Sequence, residues 1–339
     1  MRRDGYGKFV LAAVVFAGFA VHLFWRRFGG VGRWEWLLPV NACVGALGCY
    51  VLSRRWVSSP VGSLFAGAIY GFGPFMLGLA KFHPTAGFLA ASIPWLFYPA
   101  AFGGKIKLGR YAGLLAILPF AAIVIFFQLT EWRHFFPVHA AAKLSSDDIV
   151  GLFAPLVMAE YDISNTTTVG FYHVPIAALT MGCAMLLAAK RLSIIALATT
   201  GLILACTRPF LGISPVMWLS IPVVCGSVII GAGFQGLALA GQADRKWLLA
   251  AGFVQAGLAI AALLLATKYF QYFLSLADNY ARLFLQTAEM YILGALAVMI
   301  LFFIARAKLR VSALRWAILS LAAAVDICLG AKFIINRVL

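Results

Sequence analysis

Residues 247–267 read WLLAAGFVQAGLAIAALLLAT and contain no charged side chain. A run of about 20 apolar residues is long enough to cross the hydrocarbon core of a bilayer as an α-helix. Similar runs fill most of the 339-residue chain, which is 63% hydrophobic and 11% charged, with a mean hydropathy of +0.96. Soluble domains carry about 25% charged residues, and disordered chains have low hydrophobicity. The composition therefore excludes both classes and predicts an all-α, polytopic integral membrane protein.

Apolar runs of this kind recur along the whole sequence. We predict a single transmembrane domain, residues 1–339, with about eleven transmembrane helices. The first run ends in Trp25-Arg26-Arg27 without a small-residue cleavage site, so we interpret it as a retained helix rather than a signal peptide. The eighth run contains Pro215, Pro222 and several glycines, and we expect it to be broken. The predicted spans are residues 8–25, 36–52, 60–80, 84–102, 109–128, 171–189, 193–206, 214–240, 247–267, 287–305 and 315–335.

Basic residues set the predicted orientation. The chain has 27 Lys and Arg against 11 Asp and Glu, which gives a formal net charge of +16. With a cytoplasmic N-terminus, more of the basic residues fall in cytoplasmic segments than outside, so we predict a bacterial cytoplasmic membrane protein with an extracytoplasmic C-terminus. The excess positive charge is expected to contact anionic membrane lipids. Nucleic acid is not expected as a partner, because no basic stripe alternates with stacking aromatic residues on a soluble surface.

One connector, residues 129–170, is much longer than the others and is predicted to be extracytoplasmic. Connectors of this length in compact proteins are usually functional or disordered. The connector contains an apolar stretch at residues 149–159, preceded by Ser145, Ser146 and Asp147, and such polar residues commonly begin a helix. We predict a short helix that lies in the outer interface of the membrane.

Small residues at helical spacing occur in two places. Gly67 and Gly71 are separated by one helical turn, and Gly231, Gly233 and Gly236 form a G-x-G-x-x-G pattern inside a hydrophobic span. This pattern binds dinucleotides only between a strand and a helix, so we interpret both sets as sites of close helix packing. The cysteines form no C-x-x-C motif and no two histidines are four residues apart, so neither a metal site nor a cofactor is expected.

Asp326 is the one acidic residue deep inside a predicted span. Acids within a membrane are costly and usually face a partner or a cavity. Two interpretations stay open. In the first, Asp326 couples protons to transport along a path that includes the broken stretch 214–240. In the second, Asp326 pairs with a basic side chain such as Lys332, which follows it in the same span.

Charged residues on the predicted outer side are candidates for glycosyl transfer from a lipid phosphate. This reaction needs a base that deprotonates the acceptor hydroxyl and cations that neutralise the leaving phosphate. The candidate catalytic bases are Glu35, Asp147 and Asp148. The candidate ligands of the lipid phosphate are Arg26, Arg27, Arg33, Arg133 and Lys143. The competing interpretation of Glu35 is an ion pair within a belt of interfacial tryptophans, since Trp34 and Trp36 flank it.

Several stretches resemble the membrane region of YfhO-like proteins in the GT-C glycosyltransferase superfamily. They are residues 41–55 (NACVGALGCYVLSRR), residues 60–83 (PVGSLFAGAIYGFGPFMLGLAKFH) with Pro94 after them, residues 170–182 (GFYHVPIAALTMG), and Asp326 within AAAVDICLG. The resemblance covers about residues 36–330. It implies a GT-C-like helical fold and, for an active member, a polyprenyl-phosphate sugar as substrate.

The sequence departs from this family in the first outer loop, which carries the catalytic acids in GT-C enzymes. GT-C enzymes carry their catalytic acids in a long first outer loop, whereas here residues 26–35 form that loop and Glu35 is its only acid. The family continues into further spans or an outer domain, and we expect none of these after Leu339. We therefore expect a non-catalytic subunit of a membrane complex, which binds lipid or other membrane protein subunits. The alternatives are a polyprenyl-phosphate-sugar-dependent glycosyltransferase acting on the outer face, and a small transporter or flippase.

Overall fold

The computed structural model describes residues 3–25, 36–79, 84–99, 143–144, 148–160, 168–189, 192–210, 213–272, 278–307 and 311–338. Within these ranges the regular secondary structure is helical, and no strand is present. A 3₁₀ turn at Pro215–Leu219 precedes the helix that begins at Ser220. The helices are α1 (Arg3–Phe24), α2 (Leu37–Ser53), α3 (Pro60–Gly71), α4 (Pro74–Gly78), α5 (Pro84–Leu96), α6 (Asp148–Phe153), α7 (Pro155–Glu160), α8 (His173–Ala188), α9 (Leu192–Cys206), α10 (Ser220–Leu239), α11 (Arg245–Tyr272), α12 (Asp278–Arg306) and α13 (Ser312–Val338).

Six described helical segments are long and apolar enough to cross a membrane. They are Tyr6–Phe24, Pro60–Gly78, Pro215–Leu239, Arg245–Lys268, Asn279–Arg306 and Ser312–Asn336. Shorter apolar helices occupy Leu37–Ser53, Ala86–Leu96, His173–Ala188 and Ser193–Cys206. Every one of these segments overlaps a predicted span, which confirms an all-α integral membrane protein. The predicted span at residues 109–128 lies outside the described residues.

The discontinuity in the helical spans lies in a different place from the one expected. Residues 215–239 change from a 3₁₀ turn to α10 at Ser220 without a gap. Pro222 is tolerated because the first N–H groups of a helix have no intrahelical partner. The break instead lies between α3 and α4, where Gly73 is extended (φ −76°, ψ 166°) ahead of Pro74. A residue before proline is driven out of the α conformation, which explains the break.

Glycines allow α10 to pack closely between α3 and α8. A Cβ added at Gly231 would lie 2.8 Å from the carbonyl oxygen of Gly62 on α3. A Cβ added at Gly233 would collide with the carbonyl oxygen of Ala178 on α8. Gly67 meets α2 in the same way, since its Cβ would lie 2.6 Å from the carbonyl oxygen of Ala46. The prediction that these small residues mark helix packing is therefore confirmed.

Hydrogen bonds join several helix ends that are all predicted from the sequence to lie on the cytoplasmic side of the membrane. The Tyr50 hydroxyl at the end of α2 donates to the carbonyl of Lys8 at 3.4 Å. The Arg315 guanidinium at the start of α13 donates to the carbonyl of Ala240, just after α10, at 2.5 Å. Arg55, which follows α2, lies at this same end, which we call the Arg55 end. Its assignment to the cytoplasmic side stays a prediction.

Part of the long connector folds into the bundle. Its described residues form two short helices, α6 and α7, separated at Ala154. Ala154 and Leu156 are buried, and α7 packs against α12 and α13. The Tyr291 hydroxyl of α12 donates to the carbonyl of Phe153 at 2.6 Å. This hydrogen bond satisfies a backbone group that the break at Pro155 would otherwise leave without a partner.

Candidate functional site

Asp326 forms a buried hydrogen-bonded pair with His173. The Nδ1 atom of His173 lies 2.9 Å from Oδ1 of Asp326, and the side chains are 0% and 1% exposed. The backbone N–H of Val174 donates to Oδ2 of Asp326 at 2.6 Å. An ionised carboxylate only accepts hydrogen bonds, so opposite such a carboxylate Nδ1 of His173 is the donor. Asp326 is therefore paired, as the second interpretation expected. Its partner is His173 rather than Lys332.

Asp326 takes the place of a capping residue for α8. The first N–H groups of a helix need acceptors from outside the helix, and negative charge is favourable at this end. Tyr172, the N-cap residue of α8, provides no side-chain acceptor. The carboxylate that accepts from Val174 comes instead from α13. The sequence signal for this contact is a helix start without a Ser, Thr, Asp or Asn at the cap, combined with one intramembrane acid elsewhere.

Two further side chains complete this site. The Gln255 amide of α11 donates to the carbonyls of His173 at 2.9 Å and Val174 at 3.3 Å. The Tyr291 ring of α12 stands edge-on to the His173 ring, with centroids 5.0 Å apart. We call His173, Gln255, Tyr291 and Asp326 the buried polar cluster. The cluster joins α8, α11, α12 and α13, and sequence reasoning identified only Asp326 among its members.

The buried polar cluster lies at depth in the bundle rather than at its surface. Asp326 is near the middle of α13, a helix of 27 residues, which spans about 40 Å. The chain that leads into α8 is irregular and buried, and Gly170 has a φ of +138°. Irregular backbone is tolerated at membrane depth only inside protein or beside water. Here the Tyr172 hydroxyl donates at 2.7 Å to the carbonyl of Phe72, at the break between α3 and α4.

Neither His173 nor Asp326 lines any of the cavities described in this part of the chain. Atom Nε2 of His173 and atom Oε1 of Gln255 have no hydrogen-bond partner among the described residues. The arrangement can hold the start of α8 in place.

A large polar cavity of about 590 Å³ lies where α1 and α13 end. We call it the Trp25 cavity and this end of the bundle the Trp25 end. The lining contains an ammonium group, an imidazole, an amide and an indole, and the Lys332 side chain is exposed. The lining residues are Gly18, Val21, His22, Leu23, Trp25, Lys332 and Asn336. This composition suits the headgroup of an anionic amphiphile.

The predicted site residues fall mostly outside the described part of the chain. Among them, Asp148 and Lys143 are described, and the others are Arg26, Arg27, Arg33, Glu35, Arg133 and Asp147. Asp148 is 5% exposed and lines a cavity of about 110 Å³ whose other walls are mainly apolar, including Leu152 and Phe171. Lys143 is exposed. The described part therefore shows a buried aspartate where the sequence suggested a base open to the outer face.

Comparisons with known proteins identify no family for the chain. No family model matches it, and neither a curated protein nor a solved structure does. In the described residues, no group of three or more His, Cys, Asp or Glu side chains is placed to hold a metal ion. The buried polar cluster and the cavities are therefore the features that bear on function.

Proposed function

We propose that this chain is a non-catalytic membrane subunit that binds the phosphate of a polyprenyl lipid at the Trp25 cavity. The observation that carries the proposal is the composition of this cavity. Lys332, His22 and Asn336 line it together, and none of its described lining residues is a carboxylate. Its volume of about 590 Å³ falls within the range of about 300–1,000 Å³ that is usual for ligand pockets.

The polar groups of this cavity suit a lipid phosphate. The ammonium group of Lys332 can make charge-assisted hydrogen bonds to phosphate oxygens. The side-chain amide of Asn336 and the imidazole of His22 add N–H donors. Tryptophan prefers the boundary between headgroups and acyl chains, which is where a membrane lipid places its phosphate. Gly18, Val21 and Leu23 supply the less polar wall along which a prenyl chain would lie.

Three acids of the described chain, Asp148, Asp244 and Asp326, are poorly placed for transfer chemistry at the Trp25 cavity. A base for glycosyl transfer must reach the acceptor hydroxyl. Asp326 is enclosed by its hydrogen bonds to α8, and Asp148 is buried. Asp244 bonds the N–H of Gly241 at 2.9 Å, close to Ala240 at the Arg55 end. None of these carboxylates lies at the Trp25 cavity.

A GT-C-like arrangement of about eleven helices is part of the same proposal. The structure describes ten apolar segments, of which six are long enough to cross a membrane. The predicted span at residues 109–128 would be the eleventh. Membrane protein partners are proposed because GT-C-like subunits without a catalytic loop need another chain to supply the reaction.

The second candidate function is a transferase that uses a polyprenyl-phosphate sugar. One observation favours it. Trp25 lines the cavity and is followed directly in the sequence by residues 26–35, which contain three arginines and Glu35. Ten residues reach at most about 36 Å, so Glu35 is within chain reach of the cavity.

Binding to the Trp25 cavity is tested with the full chain in nanodiscs. We expect a fluorescent polyprenyl phosphate to bind more tightly than the matching unphosphorylated polyprenol. Lys332→Gln should weaken phosphate binding about fivefold, the effect of one lysine near an anionic surface. Lys268→Gln is the matched control, since Lys268 is an exposed lysine near the end of α11 that does not line the cavity. Equal binding of the phosphate and the alcohol would contradict the proposal.

Transfer activity separates the two candidate functions. Purified protein, a polyprenyl-phosphate sugar and a range of acceptor lipids or peptides are incubated in liposomes, and sugar release is measured. For a non-catalytic subunit we expect no release above protein-free liposomes. Release that disappears in Glu35→Gln would support the transferase instead.

A further inference from the structure

A second cavity, of about 260 Å³, lies towards the Arg55 end of the bundle. We call it the Trp56 cavity. It lies among the end of α2, the end of α5, the first turns of α9 and the middle of α10. Apart from Ser193, every lining residue in the described part of the chain is hydrophobic. The lining residues are Leu52, Trp56, Phe97, Ser193, Ile194, Leu197, Val224, Cys225 and Val228.

Apolar walls exclude water from this cavity. A water molecule needs two to four polar partners, and a dry apolar cavity of about 150 Å³ already takes up benzene. The cavity is below the size of a typical drug-like pocket, so it can hold the end of a hydrocarbon chain but not a headgroup. Among its lining residues Ser193 is exposed, so we place the entrance there, while Trp56 and Leu197 are half-buried.

A positive charge lies beside this cavity. Arg55 is exposed and stands in the sequence between Leu52 and Trp56, which both line the cavity. Its neighbour Arg54 is used differently, because its guanidinium donates to the carbonyls of Val57 at 3.2 Å and Ser58 at 2.7 Å. Arg54 therefore holds the turn after α2. In the described part of the chain, Arg55 forms no ion pair.

We infer that the Trp56 cavity binds one acyl chain of an anionic phospholipid whose phosphate contacts Arg55. The cavity supplies the apolar surface, and an arginine near a bilayer surface adds attraction for anionic headgroups. Arginine also presents several donors to phosphate oxygens. This site lies away from the Trp25 cavity, and it does not depend on the function proposed there.

Native mass spectrometry of the full chain tests this inference. The protein is released from micelles with added phosphatidylglycerol or phosphatidylcholine, and the retained lipid is counted. We expect tighter retention of phosphatidylglycerol, and Arg55→Gln should weaken that retention about fivefold. Arg306→Gln is the control, because Arg306 is an exposed arginine at the end of α12 that does not line the cavity.

A second pair of variants tests the chain-binding part of the site. Ser193→Trp should close the entrance and remove the retained phosphatidylglycerol, without a change in the core because Ser193 is exposed. Ser312→Trp is the matched control, an exposed serine at the start of α13. Thermal unfolding of each variant confirms that it is folded. Equal retention of both lipids, or unchanged retention in Arg55→Gln and Ser193→Trp, would overturn the inference.

Discussion

Gly233→Leu is expected to prevent the bundle from assembling. A Cβ at Gly233 would collide with the carbonyl oxygen of Ala178 and would lie 2.9 Å from the backbone nitrogen of Gly182. Both obstacles are backbone atoms of α8, so α8 and α10 must separate to admit a side chain. Overpacking of a core usually costs about 1–3 kcal/mol, and we expect the upper end or more here because no flexible side chain can move aside. The measurement is the monodisperse fraction in size-exclusion chromatography together with thermal unfolding.

Gly257→Leu provides the matched control for this prediction. Gly257 is also inside a long apolar helix, α11, but nothing lies within 4 Å of an added Cβ. Leucine at an exposed, lipid-facing position is favourable, and it has a better helix propensity than glycine. We expect wild-type stability for this variant. A Gly233→Leu protein that unfolds at the wild-type temperature would show that α8 and α10 are not in close contact.

Asp326→Leu is expected to cost about 3–5 kcal/mol of unfolding free energy, the usual effect of removing one partner of a buried pair. The substitution leaves Nδ1 of His173 and the N–H of Val174 without their acceptor, and both lie in the buried interior. Unfolding is followed by denaturant titration in mixed micelles. Because the site is enclosed, we expect the loss to appear in stability rather than in lipid binding.

A double-mutant cycle isolates the contact between these two side chains. His173→Leu alone should also destabilise, because the carboxylate keeps only the N–H of Val174 as a donor. The double variant with leucine at both positions should lose less than the sum of the two single variants, since neither side chain of the pair is left behind without the other. Strictly additive losses would show that His173 and Asp326 do not interact.

Hydropathy alone predicted where the apolar helices lie, but it did not predict the residues at which these helices end. The predicted span at residues 287–305 belongs to α12, which begins at Asp278. A hydropathy profile marks the part of a helix that meets hydrocarbon, whereas the helix continues through its polar ends as long as no Gly or Pro stops it. The helix break between α3 and α4 coincides with the dipeptide Gly73-Pro74. This dipeptide lies inside an otherwise uniform apolar run, so hydropathy did not reveal it.

The contacts between helices could not be predicted from periodicity. His173 and Asp326 are separated by 153 residues, and each lies in an apolar context that gives no indication of its partner. The same holds for Gln255, which lies within the apolar stretch between Trp247 and Ala266 of α11. Asp326 could be identified from the sequence, because burying an acid in the membrane costs free energy unless the acid has a partner. Choosing that partner requires the arrangement of the helices, which one sequence does not contain.

The capping of α8 by α13 has a consequence for the order of biogenesis. A ribosome that adds about 5–20 residues per second reaches Asp326 roughly 8–30 seconds after His173. During this interval the first N–H groups of α8 and the imidazole of His173 are without the carboxylate of Asp326. Until α13 has been inserted, these groups must be hydrated or held by the insertion apparatus. The cluster that holds α8, α11, α12 and α13 together therefore closes late in synthesis, and insertion of α13 is the step that commits the chain to its final packing.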